Sequence, residues 1–131
     1  MSLLWKEIFV IALGGALGSL SRFGLSRYVQ TLIPYPDLPW GIISCNVLGC
    51  LLIGVLFGLF EAKLLLNPLW RTGLMIGLLG GFTTFSSFSI DTIHLLQTGE
   101  YVAGIANVII SVVACLMATV LGIWCVAVFV K

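Results

Sequence analysis

The chain has 131 residues, of which 60% are hydrophobic and 8% are charged, and its mean hydropathy is +1.20. Soluble domains carry about 25% charged residues, so this inventory cannot tile a water-exposed surface, and a soluble enzyme is excluded. A formal net charge of +1 supplies neither the basic face that nucleic acid requires nor an acidic tail.

Charged residues and prolines divide the chain into four apolar blocks, each near the roughly 20 residues that a bilayer-spanning helix needs. The first span is expected from about residue 8 to 28, with Arg22 and Arg27 toward its far end. Lys6 followed by Ile8–Leu13 resembles the start of a secretory signal. No small-x-small cleavage site follows, so the segment is read as a retained first helix. Pro34, Pro36, Asp37 and Pro39 form a polar link suited to a turn and a new helix start. The second span is expected from about 40 to 60, and Glu61, Lys63, Asn67 and Pro68 make the next connection.

The third span, about 69 to 97, carries an interruption near 80–84. Gly80 and Gly81 are followed by Thr83, Thr84, Ser86, Ser87 and Ser89, a combination that disfavours continuous helix. Lipid-exposed irregular backbone is not tolerated in hydrocarbon, so such a break must be buried in protein or line a watery path. Freed carbonyls there suit a cation, and freed amides suit an anion. Phe82, Phe85 and Phe88 recur every three residues, placing at least two on one helical face; their rings offer positive edges to an anion. The fourth span, about 101 to 129, has no charge. The expected fold is thus an all-α membrane protein, one four-helix domain over residues 1–131.

Small residues recur at four-residue intervals: Gly14 and Gly18, Gly54 and Gly58, then Gly73, Gly77 and Gly81. This spacing lets helix backbones approach in lipid, and a chain this small is expected to extend such packing to another copy. Arg22, Asn46, Asp91, Asn107 and Ser111 lie within or at the edges of the apolar blocks, where polar side chains face the bundle interior or a pathway. Asn107 and Ser111, four apart, share a face. Trp5, Trp40, Trp70 and Trp124 fall near span ends and read as interface anchors. Cys45, Cys50, Cys115 and Cys125 sit in apolar stretches without CxxC spacing and away from His94; they read as packed thiols and are assigned no metal. With both termini on one side, Lys6, Lys63, Arg71 and Lys131 oppose Arg22 and Arg27. That weak bias permits insertion in either orientation.

Three motifs together resemble one family, the Fluc (CrcB-like) fluoride channels. They are Gly14-Gly15-x-x-Gly18-x-x-x-Arg22, Asn46-x-x-Gly49, and the run Gly80-Gly81-Phe82-Thr83-Thr84-Phe85-Ser86-Ser87-Phe88. The resemblance implies an antiparallel, dual-topology homodimer, or a pairing with a paralogous subunit, in the cell inner membrane. It implies two fluoride pathways and a third helix broken at its centre. It places a structural Na⁺ on the backbone carbonyls of Gly80 and Thr83 of both subunits. Phe85 and Phe88 become ring walls of the path, Asn46 a donor, Thr84 and Ser87 nearby hydroxyls, Asn107 and Ser111 pore-facing positions, and Arg22 and Asp91 vestibule residues. Fluoride then leaves the cytoplasm passively, protecting the cell from its toxicity. The chain departs from the family at Ile42 and Ser87, where Thr is frequent, at Asp91, where Glu is frequent, and at Cys115, where some members carry Ser. The alternative reading, a small multidrug-type proton-coupled exporter, requires a carboxylate embedded in the first helix; this chain has only Glu7 there, at the outer edge.

Overall fold

A computed structural model of the chain describes residues 2–33, 37–65 and 67–130; Pro34 and Pro36 of the expected link, and Lys131, lie outside the described residues. All regular structure among these is helical. It comprises α1 (Leu3–Leu32), α2 (Trp40–Glu61), α3 (Pro68–Arg71), a π-helical segment (Thr72–Leu79), α4 (Gly80–Phe82), α5 (Phe85–Gln97) and α6 (Tyr101–Phe129). Four segments are long and apolar enough to cross a membrane: Leu3–Leu32, Trp40–Glu61, Pro68–Gln97 and Tyr101–Phe129.

α1 extends beyond the apolar stretch 8–28 at both ends. Lys6 and Glu7 at one end and Gln30 at the other are helix formers as good as Leu, and a long basic side chain such as Lys6 reaches toward polar surroundings, so polarity does not stop the helix. α2 starts after Pro39, whose missing N–H is not needed at a helix start. α2 and α5 stop in the same way. Leu64 N–H donates to the Leu59 carbonyl at 3.0 Å, with Lys63 at φ 57° between them. Glu100 N–H donates to the Leu95 carbonyl at 2.8 Å, with Gly99 at φ 87°. Both are left-handed caps, and only the second uses the residue best suited to it.

The third membrane-length segment changes winding along its length. Asn67 caps its start by accepting from Leu69 N–H at 2.9 Å, with Pro68 in the first turn. The winding widens to π-helix over Thr72–Leu79 and returns to α over Gly80–Phe82. Thr83 (φ −87°, ψ 154°) and Thr84 (φ −151°, ψ 117°) are extended before α5 begins.

α1 packs on the π-helical segment and α4, while α2 packs on α6. Small residues set both approaches. A Cβ on Gly14 would meet the Gly73 carbonyl at 2.5 Å, and one on Gly18 would collide with the Leu78 carbonyl. On the other seam, Gly54 faces the Thr119 carbonyl and Gly122 the Leu51 carbonyl, again without room for a Cβ. The glycine stripes expected to admit another copy are therefore used inside this chain. The apolar core comprises Ile43, Cys45, Leu79, Phe82, Phe88, Ala118 and Val126, together with buried Thr92, Asn107 and Ser111. Large apolar side chains along α1 and α6, among them Leu17, Leu20, Val102 and Leu116, face outward, as helices solvated by lipid do.

Candidate ion pathway

Two extended residues at membrane depth create a problem of unpaired backbone groups, and nearby polar side chains solve most of it. Asn46 on α2 takes the Thr84 peptide at both ends: its Oδ1 accepts from Thr84 N–H at 2.7 Å, and its Nδ2 donates to the Thr84 carbonyl at 3.0 Å. Arg22 on α1 donates through Nε to the Gly81 carbonyl at 3.2 Å, which in an unbroken helix would accept from Phe85 N–H. The Leu79 carbonyl accepts from Thr83 N–H at 3.0 Å and from Thr83 Oγ1 at 2.9 Å. Thr84 Oγ1 caps α5 by accepting from Ser87 N–H at 3.2 Å, and it donates to Ser87 Oγ at 3.2 Å. Ser86 Oγ is 3.1 Å from the same oxygen.

Besides the Gly81 carbonyl, those of Gly80 and Thr83 lose their helical partners in this arrangement. Thr84 N–H, the i+4 donor for the Gly80 carbonyl, is drawn to Asn46; Ser87 N–H, the i+4 donor for the Thr83 carbonyl, is drawn to Thr84 Oγ1. A pair of carbonyl oxygens released in this way matches the donor type a hard monovalent cation takes from unwound helices. Among the described residues no group of three or more His, Cys, Asp or Glu side chains could hold a metal.

Beside the interruption lies a groove of about 290 Å³, lined by Asn46, Cys50, Thr83, Thr84, Phe85, Phe88, Ser111, Val112, Cys115 and Leu116. The Phe85 and Phe88 rings stand 5.1 Å apart at 52°. Phe88 is buried, whereas Phe85 is 76% exposed at the rim. Phe82 does not join them: it is buried with Leu79 on the far side of the break. The three-residue spacing assumes a continuous helix, and the extended residues between Phe82 and Phe85 reset the phase.

The other expected site residues take different places. Ser111 lines the groove. Asn107, fully buried, sits one turn away and connects elements: Ser111 Oγ donates to its Oδ1 at 3.3 Å, its Nδ2 donates to Thr92 Oγ1 at 2.9 Å, and Thr92 Oγ1 donates to the Phe88 carbonyl at 2.8 Å. Thr92 is absent from the sequence-based set. Its position four residues after Phe88 is the signal that places it on the same face. Ser87 touches Thr84 without lining the groove, and Gly80 is exposed and does not line it either. Arg22 holds the interruption itself, while Asp91 lies in a separate hollow of about 150 Å³ with Gln30, Asp37 and His94. Cys50 and Cys115, read from sequence as packed thiols, are groove-wall residues.

Fold and groove together define a class: a multi-pass membrane protein whose polar groups gather around the extended residues Thr83 and Thr84 and a pair of phenylalanines. More narrowly, the chain belongs to the CrcB-like family, described as CrcB-like protein, Camphor Resistance (CrcB), whose pattern matches residues 9–123. It is 43% identical over 114 residues to a protein of Sorangium cellulosum, covering 87% of this chain and 89% of that one. It is 45% identical over 118 residues to one of Parabacteroides distasonis, covering 89% and 90%, and 44% identical over 118 residues to one of Geotalea uraniireducens, covering 90% and 94%. Each of these relatives is named fluoride-specific ion channel FluC, a channel rather than an enzyme.

Proposed function

We propose that this chain is a fluoride channel through which fluoride leaves the cytoplasm passively, protecting the cell from fluoride toxicity. The functional unit of this reading is an antiparallel, dual-topology homodimer in the cell membrane with two pathways. The observation that carries it is the groove itself, where two aromatic rings, hydroxyls and a carboxamide converge beside freed backbone at membrane depth. The names of the relatives point to the same ion.

The chemistry follows from what fluoride demands. A small, strongly hydrated anion enters hydrocarbon only if water is replaced by donors. Asn46 has two N–H bonds on Nδ2 and uses one on Thr84, which leaves the other for the ion. The Phe85 and Phe88 rings, tilted at 52°, offer edge hydrogens carrying positive partial charge. The start of α5 lies at the same place and adds the positive end of a helix dipole. The Ser111 hydroxyl continues the polar surface along α6. In the dimer, the rim at Phe85 meets a second copy, so an open groove becomes an enclosed path.

The Gly80 and Thr83 carbonyls of both subunits would hold a structural Na⁺, a fixed positive charge that lowers the cost of an anion at membrane depth. This chain's part is to keep those oxygens free, through Asn46 and Thr84, and to fix the adjacent turn through Arg22.

Purified protein in liposomes loaded with fluoride tests the reading. Fluoride efflux without an imposed proton gradient is expected. Efflux that appears only when a proton gradient is applied contradicts the proposal and favours an exporter.

A further inference from the structure

The groove has a feature that fluoride passage does not use: two cysteines on facing helices. Cys50 on α2 and Cys115 on α6 both line it, and both are unpaired thiols of intermediate exposure. Their backbones are tied together by one side chain. Thr119 Oγ1 lies 3.2 Å from the Cys50 carbonyl and 3.1 Å from the Cys115 carbonyl. One turn further along, the Gly54 position leaves no room for a Cβ against Thr119, so the two helix backbones are in contact beside the pair. Of the other cysteines, Cys45 is fully buried, and neither it nor Cys125 lines the groove.

We infer that Cys50 and Cys115 form a dithiol site for a soft, two-coordinate metal cation of the Hg²⁺ class, set in the wall of the candidate ion pathway. Thiolates prefer soft cations, and no third ligand of the His, Asp or Glu type stands with them among the described residues, which disfavours a tetrahedral Zn²⁺ site. Binding replaces two S–H bonds with two Hg–S bonds and releases two protons, with no change of oxidation state. The product carries no net charge, which suits a low-dielectric groove better than a charged complex does. An occupied site places a heavy atom between α2 and α6 opposite Phe85 and Phe88, so it obstructs the groove. That consequence for flux rests on the proposed channel function, whereas the binding itself does not.

The test uses the full-length protein carrying Cys125→Ala, titrated in detergent with mercuric chloride. Mercury–thiolate absorbance and the count of reactive thiols are the readouts. One Hg²⁺ per chain is expected, with Cys50 and Cys115 protected together. Cys50→Ser or Cys115→Ser should each weaken binding by about 100-fold, the loss expected when a two-point attachment becomes one-point. Two independent Hg²⁺ ions per chain, or single variants that bind as tightly as the parent, overturn the site. In liposomes, mercuric chloride should block fluoride efflux by the Cys125→Ala protein, with a small dithiol restoring flux. Stoichiometric binding with undiminished efflux overturns the obstruction. Stoichiometric binding by a chain that carries no fluoride under any condition contradicts the channel reading instead and leaves the site standing.

Discussion

Asn46 has a structural role in the fold and, in the proposed channel, a transport role as well. Its carboxamide holds both polar groups of the Thr84 peptide, and the residue lines the groove. Interhelical hydrogen bonds in membranes average about 0.6 kcal/mol. Here, however, truncation strands a backbone N–H and a carbonyl, each worth about 1–3 kcal/mol when left unpaired. Asn46→Ala should therefore lower stability by about 2–6 kcal/mol, read as a shifted denaturation midpoint, and abolish fluoride flux; an unchanged midpoint would contradict the assigned contacts. Phe85→Ile and Phe88→Ile remove the ring edges while keeping apolar volume, so both should lose fluoride flux without losing assembly, checked by efflux and by elution volume. Unchanged flux in both variants would contradict the ring assignment. The types of these side chains were legible in the sequence, because an Asn or a run of hydroxyls in an apolar block needs a purpose. Their partners were not. That Asn46 grips Thr84, that Arg22 grips Gly81, and that Thr92 joins Asn107 to the Phe88 carbonyl are pairings between elements distant in the chain, which no local pattern encodes.

At the scale of elements, punctuation by charge and proline implied four spans, and four membrane-capable helices are present among the described residues, because hydrocarbon admits so few alternatives. Ends were less legible: α1 starts at Leu3, ahead of Lys6 and Glu7, and runs on past Tyr28 to Leu32, since helix propensity does not stop where hydropathy does. The π-helical stretch before Gly80 had no signature among the expected motifs, as its winding depends on packing against α1. The glycines supply a direct contrast. Gly18 abuts the Leu78 backbone, whereas Gly24 has no atom within 4 Å of where a Cβ would stand. Gly18→Val should therefore push α1 off the third segment and remove folded protein from a size-exclusion profile. Gly24→Ala should fold normally and gain up to about 1 kcal/mol of helix propensity. Equal behaviour of the two variants would show that close α1 packing does not hold the bundle together.

The molecule as a whole leaves its groove open at one side, with Phe85 76% exposed and large apolar faces outward on α1 and α6. Because the glycine stripes are satisfied within the chain, the case for a second copy rests on the groove rather than on those stripes. A complex of two 14.1 kDa chains is expected by mass measurement in detergent, and reporters fused at the C-terminus should register on both sides of the membrane; a strict monomer or a single orientation would contradict the antiparallel pair. The central claim, that this groove carries fluoride, is tested most directly by parallel efflux of fluoride and chloride from liposomes containing the purified wild-type chain or its Phe88→Ile variant. The account predicts rapid fluoride loss and retained chloride for the wild type, with both ions retained for the variant. Chloride efflux matching that of fluoride, or fluoride loss unaffected by the substitution, would contradict it.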